Sequence, residues 1–152
     1  HVQWDTKLHA RISESIMSVN AFKGIEIGLG FKSSQRLGSE VHDEISWDGE
    51  KYTRYSNNAG GIEGGMSNAQ PIIMRVVMKP IPTLIKPLRS VDIVTKEDKL
   101  AHKERTDSCS VPAASIIAES MVCFVICDAL LEKFGGDSIE DLAKHINSSA
   151  KY

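Results

Sequence analysis

From Val111 to Leu131 the chain is apolar with few interruptions, and this stretch limits the possible folds more than any other. Pro112 suits the first turn of a helix, where its missing N–H costs nothing. Ile116, Met121, Phe124, Ile126, Leu130 and their apolar neighbours then surround nearly the whole circumference as far as Lys133. A helix apolar all round needs cover on every side. A membrane span wants about 20 mostly apolar residues with few charges, and Glu119 and Asp128 fall inside the run. The stretch therefore reads as a buried helix, and no membrane is expected as a partner. Cys123 and Cys127, four apart on it, read as packed apolar positions. Gly135-Gly136 ends the helix, and Ser138 caps a last one over residues 139–146.

The amino-terminal part predicts a second helix capped by Asp5. Leu8, Ile12, Ile16 and Val19 share one of its faces, and Asn20 ends it. A short strand follows over 23–27. Residues 32–55 are polar and read as a surface loop or ragged hairpin with Asp48-Gly49 in the turn. Residues 71–78 form a continuous apolar strand, expected to be buried on both faces. Pro80, Pro82 and Pro87 make residues 79–87 extended and stiff. Another strand is predicted over 90–95, and weak alternation in 96–105 allows a last one. Strands and helices do not alternate regularly. The fold class is α+β, with antiparallel β-sheet packed on buried helices.

The 152 residues suit a single domain, 1–152, with one core. A net charge of -2 gives no reason to expect nucleic acid. Three cysteines without a C-x-x-C pair argue against a disulfide framework and against zinc, and fit a reducing cytoplasm. His1, His9, His42, His102 and His145 lack metal-ligand spacing and read as surface residues; no metal site is expected. The chain opens on His1 without an initiator methionine, immediately before a helical pattern. It is expected to be part of a longer protein.

Three segments carry chemistry. Asn57-Asn58-Ala59-Gly60-Gly61-Ile62-Glu63-Gly64-Gly65-Met66-Ser67-Asn68-Ala69 places four glycines in six positions. Such backbone lets amides approach a flat or anionic ligand; it also serves as a plain flexible connection between strands. It is neither a Walker loop nor a dinucleotide fingerprint. Lys79-Pro80-Ile81-Pro82-Thr83 sets a cation and a hydroxyl on stiff backbone, which suits a phosphate or makes a rigid turn. Arg105-Thr106-Asp107 offers a bidentate fork and a carboxylate able to handle protons, or a simple surface ion pair.

Taken together, GIEIGLGF at 24–31, GSEVHDEI at 38–45, NNAGGIEGGMSNAQPI at 57–72, MKPIPTL at 78–84 and RTDSCSVPAASIIAES at 105–120 resemble chorismate synthase, in that family's order and spacing. The resemblance runs from about Val2 to Phe134 and is closest to the Gram-positive bacterial type. It implies a sandwich of two antiparallel sheets enclosing a layer of helices, β-α-β in section. The present chain would supply the carboxyl-terminal portion.

The implied reaction is the anti 1,4-elimination of phosphate from 5-enolpyruvylshikimate 3-phosphate, giving chorismate in the shikimate pathway of aromatic amino-acid biosynthesis. It requires reduced FMN, in some members reduced by NADPH. The resemblance carries the flavin contacts onto Asn20, Ala21, Gly64, Lys79, Pro80, Ile81, Pro82, Thr83 and Arg105. It makes Asp107 the catalytic residue, assisting proton transfer near flavin N5, and gives Arg105 a second role at the substrate's anionic groups. Thr106 and Ser108 stand where many members have histidine and proline, and Ala69 where glycine is usual. The family's catalytic histidines and most substrate arginines lie upstream of this segment, so the chain alone is expected to be inactive. The whole enzyme is expected to be a cytoplasmic homotetramer. The rival readings are a non-catalytic flavin- or anion-binding module and an oligomerisation module. The glycine loop, residues 55–66, is expected to be mobile when empty.

Overall fold

The structure, a computed structural model, describes residues 3–103 and 109–149. Its first helix, α1 (Leu8–Met17), carries the centre of the core: Ile12 and Ile16 are fully buried, with Leu8 and Val19 packed beside them. That is the face expected from the i, i+4, i+8 spacing. The helix starts from Lys7 rather than from a cap at Asp5, and Ser18 closes it.

Strand β1 (Phe22–Ile27) pairs antiparallel with a later strand, β6 (Met74–Met78), from Phe22 opposite Met78 to Ile27 opposite Met74. Between them lie a 3-10 turn (Gly30–Gln35), a short helix α2 (Gly38–Val41), the hairpin β2 (Ile45–Trp47) with β3 (Tyr52–Arg54), and the two-residue strands β4 (Ile62–Glu63) and β5 (Met66–Ser67). The segment expected to be a loop or ragged hairpin is thus a hairpin preceded by helical turns. Strand β7 (Arg89–Val91) and β8 (Asp98–Leu100) form a last hairpin. The strand predicted over 90–95 stops at Val91, because Asp92 accepts the amides of Val94 and Thr95 and turns the chain.

The fold is α+β; among the described residues every strand pair is antiparallel, and the strands form four separate two-stranded ladders. Burial on both faces of 71–78 is not found. Ile72, Met74, Val76 and Met78 face the core, while Ile73 and Val77 are exposed. Among the described residues only one layer lies against β6, so the pleat shows its period of two.

Helix α3 (Val111–Phe134) runs as the sequence predicts and ends at Gly135, φ 58°. Its cover is one-sided. Ala114 is buried, and Ala118, Met121, Val122, Val125 and Ile126 pack toward α1 and β6. Ile116, Ile117, Phe124 and Leu131 lie bare, Phe124 at 73% exposure, and Cys123 and Cys127 are exposed too. All-round burial is therefore not achieved, because these residues contain no second layer for the other face. An apolar groove of about 550 Å³ remains between α3 and β6, walled by Phe22, Met74, Met78, Ala114 and Val122. By length and composition α3 could cross a membrane. Arg11 of α1, however, is ion-paired with both Asp128 and Glu132 of α3, which fastens the two helices as neighbours.

The last helix, α4 (Ile139–Ser148), is capped by Ser138, whose hydroxyl accepts the Asp141 amide at 3.1 Å. His145 Nδ1 lies 2.6 Å from the Phe134 carbonyl, tying α4 to the end of α3.

Candidate functional site

Helix α1 ends at Ser18 and β1 begins at Phe22, so the chain reverses within three residues. Ala21 makes the reversal in the left-handed region, φ 70°. That conformation costs a non-glycine residue about 1–2 kcal/mol. Its carbonyl accepts the Lys79 amide at 2.7 Å, extending the β1–β6 ladder by one bond. Asn20 and Ala21 thereby stand beside the start of residues 79–83. Asn20, Lys79, Pro80 and Pro82 are exposed; Ile81 and Thr83 are half-buried. The proline-spaced segment 79–83 thus meets the turn at Asn20 and Ala21 at one end of this ladder.

The glycine loop closes the other end. Gly28 (φ 59°) and Gly60 (φ 65°) cross backbone to backbone: a Cβ on Gly28 would stand 2.0 Å from the Asn58 carbonyl oxygen, and one on Gly60 2.3 Å from the Gly28 nitrogen. The Leu29 amide donates to Asn58 O at 2.8 Å, Gly28 to Ile73 O at 2.9 Å, and Ile73 to Gly60 O at 3.1 Å. Asn57 accepts the Gly61 amide through Oδ1 and donates to the Pro71 carbonyl through Nδ2, each at 2.9 Å. Residues 57–61 of the loop are thus held by hydrogen bonds to Leu29, Pro71 and Ile73.

Beyond this base, Gly64 (φ 61°) and Gly65 (φ 92°) form the tip of the β4–β5 hairpin, both left-handed as a type I′ turn requires. The Leu8 amide donates to Gly65 O at 2.8 Å, so the tip rests on the start of α1. Glu63 is held by Arg54 Nη2 at 2.8 Å and by Asn68 Nδ2 at 2.7 Å. Ala69 takes a left-handed φ of 65°. A Cβ on Gly64 would meet nothing within 4 Å, whereas one on Gly65 would strike the Lys7 side chain. A cavity of about 340 Å³ opens there between Lys7, His9, Ile27, Ala59 and Gly64. Open space against bare backbone, with a lysine and an imidazole on the walls, suits a planar ligand carrying negative charge. Gly64 does not join Ala21 and Lys79. It lies at the opposite end of α1, roughly 15 Å of helix away.

Lys7 and His9 were not legible as site residues, because each is isolated in sequence until the loop folds back over α1. Asp43 was missed as well. Its Oδ1 accepts the Ser56 hydroxyl at 2.5 Å and the Asn58 amide at 2.7 Å, and its Oδ2 the Ala59 amide at 2.9 Å. Arg54 Nη1 donates to its carbonyl at 3.2 Å. Desolvation pushes the Asp43 pKa up, but the Ser56, Ala59 and Asn58 hydrogen bonds and the Arg54 charge together hold it below the ordinary value. Glu26 is lowered too, first by the Phe31 amide and then by Arg75, which pairs with it at 3.0 Å. Arg105 and Asp107 lie outside the described residues. Among the described residues no cluster of three His, Cys, Asp or Glu could hold a metal ion.

Comparison with known proteins adds an independent line. The family model described as chorismate synthase matches residues 1–131. A chorismate synthase of Aquifex aeolicus (strain VF5) is 58% identical over 145 residues, covering 95% of this chain and 36% of its own length. Chorismate synthase 1 of Bacillus thuringiensis (strain Al Hakam) is 55% identical over 153 residues, covering all of this chain and 39% of its own. A solved structure described as a crystal structure of chorismate synthase superposes with a TM-score of 0.77 at 45% identity. That match covers 97% of this chain and 37% of the solved one. The chain spans about two fifths of the length of the curated relatives it matches.

Proposed function

The chain belongs to the chorismate synthase family, and we propose that it is a single domain forming the carboxyl-terminal portion of such an enzyme. In the whole protein it serves the elimination of phosphate from 5-enolpyruvylshikimate 3-phosphate to give chorismate, a lyase step of the shikimate pathway. The reading takes the enzyme to be a bacterial, cytoplasmic homotetramer. The uncovered face of α3 and the 550 Å³ groove then lie against the rest of the protein.

Reduced FMN, with NADPH as the reductant in some members, supplies the electron density on which this elimination depends. Gly64, on the wall of the 340 Å³ cavity, would offer bare backbone to the flavin. Asn20, Ala21 and residues 79–83 supply amides, a cation and a hydroxyl. Arg105 gathers anionic groups of flavin and substrate, and Asp107 holds the proton to be moved. The observation that carries the reading is the bond from Lys79 to Ala21, which joins two flavin segments of the resemblance at one corner.

In the full-length enzyme, Asp107→Ala should reduce turnover by about 100-fold or more, the scale of a lost acid–base group, with FMN affinity little changed. Unchanged turnover would sink the assignment. The 152-residue chain alone should form no chorismate, since the family's upstream arginines and histidines are needed. Chorismate formation by the purified chain would contradict this.

A further inference from the structure

Asp43 lies on no strand or helix and contributes nothing to the apolar core, which is built from Ile12, Ile16, Phe22, Ile62 and Ala114. Yet both its carboxylate oxygens are engaged, and all three donors belong to residues 56–59. Two are consecutive backbone amides, those of Asn58 and Ala59. Successive N–H groups aimed at one carboxylate fix the φ and ψ of the residues that carry them. Immediately after them, Gly60 passes against Gly28 with no space for a side chain, and Ala59 itself walls the cavity beside Gly64. A carboxylate outside the cavity therefore sets the position of its wall.

We infer that Asp43 is a positioning residue for the glycine loop: it sets the Ser56–Ala59 backbone so that the cavity bounded by Ala59 and Gly64 is preformed for the flavin. This rests on the reading that the loop faces the flavin. Its side chain reaches the cavity only through Ala59. A carboxylate is needed because three donors converge on it; an amide in its place would turn an N–H toward one of them. Preformation matters because ordering a glycine-rich segment at the moment of binding costs conformational entropy that would be subtracted from affinity.

The test uses the full-length protein, with FMN affinity read by quenching of flavin fluorescence. Asp43→Asn should weaken FMN binding about tenfold and alter the visible circular dichroism of bound flavin. KM for the phosphorylated substrate and the far-ultraviolet spectrum should stay near wild type. Asp43→Glu, which keeps both acceptors, should recover part of the affinity. Gly64→Val, which fills the open side of the cavity, is the companion variant. If Gly64→Val weakens FMN and Asp43→Asn does not, the positioning role is overturned while the flavin reading stands. If neither weakens FMN, the flavin reading of the loop falls and takes the positioning role with it. Should Asp43→Asn fail to fold, Ser56→Ala removes one donor alone. It should weaken FMN about threefold, and unchanged affinity would overturn the role.

Discussion

The amide of Lys79 donates to the carbonyl of Ala21 at 2.7 Å, and Ala21 accepts it from a left-handed backbone. The bond joins the turn after α1 to the proline-spaced segment after β6, and it holds an alanine where glycine would be easier. Ala21→Gly should therefore stabilise the full-length protein by roughly 0.5–1 kcal/mol, once the added unfolded-state entropy is subtracted. Ala21→Val should destabilise it. Denaturant midpoints decide, and a loss of stability in Ala21→Gly would show that the turn is not strained.

Glycine substitutions should separate sharply by place. Gly28→Ala and Gly60→Ala each drive a methyl into backbone, so both should cost at least about 3 kcal/mol or abolish folding. Gly49 also has a left-handed φ, 107°, but a Cβ there meets nothing within 4 Å. Gly49→Ala should cost only about 1 kcal/mol. Equal losses at all three positions, measured by thermal unfolding, would contradict the crossing.

The contact between α1 and α3 has an apolar part and an ionic part. Ile12→Ala should cost about 2–5 kcal/mol, because it empties a fully buried site. Asp128→Asn should cost about 1 kcal/mol or less, since Asp128 is 71% exposed and solvent screens the pair. An Asp128→Asn variant less stable than Ile12→Ala would reverse that ranking.

Acid should release the glycine loop. The Asp43 carboxyl has a lower pKa folded than unfolded, so around that range the unfolded chain binds more protons. The stabilisation is present above the ordinary value of 3.8 and is lost as the pH falls through the lower native value. Amide exchange at Asn58 and Ala59 should accelerate below about pH 4, beyond the intrinsic trend. Asp43→Asn should show fast exchange at neutral pH and no such step.

Phe124 should behave differently in the isolated chain and in the whole protein. Phe124→Ser ought to make the 152-residue chain more soluble at unchanged helicity, because the ring is bare there. In the full-length protein the same change should cost about 3 kcal/mol, the scale of a buried aromatic. A neutral effect in the full-length protein would mean that this face of α3 is never covered.

Local signals were legible in the sequence and long-range ones were not. The ends of α3 and the buried stripe of α1 follow from proline, glycine and a period of 3.6, all of which act within a few residues. The double burial expected of β6 failed because a continuous apolar run states only what the strand could bury. Which layers are present to bury it is a property of the surroundings. The same holds for the bare side of α3. Asp43 could not be read, since its partners lie 13 to 16 residues away and meet it only after the β2–β3 hairpin closes. Arg105 and Asp107 stood out by their own chemistry, a guanidinium fork beside a carboxylate, but a simple surface ion pair reads the same way, and their flavin and proton-transfer roles came from the resemblance alone.

The crossing of Gly28 and Gly60 bears on how such proteins can diverge. Neither position can accept a side chain while the other's backbone lies against it. Enlarging one cannot be compensated by shrinking the other, because glycine is already the smallest residue. Exchange at one position therefore cannot be rescued at its neighbour, and the pair would leave no trace of correlated substitution among descendants. A contact on which the loop's placement depends would be invisible to any method that infers proximity from co-variation.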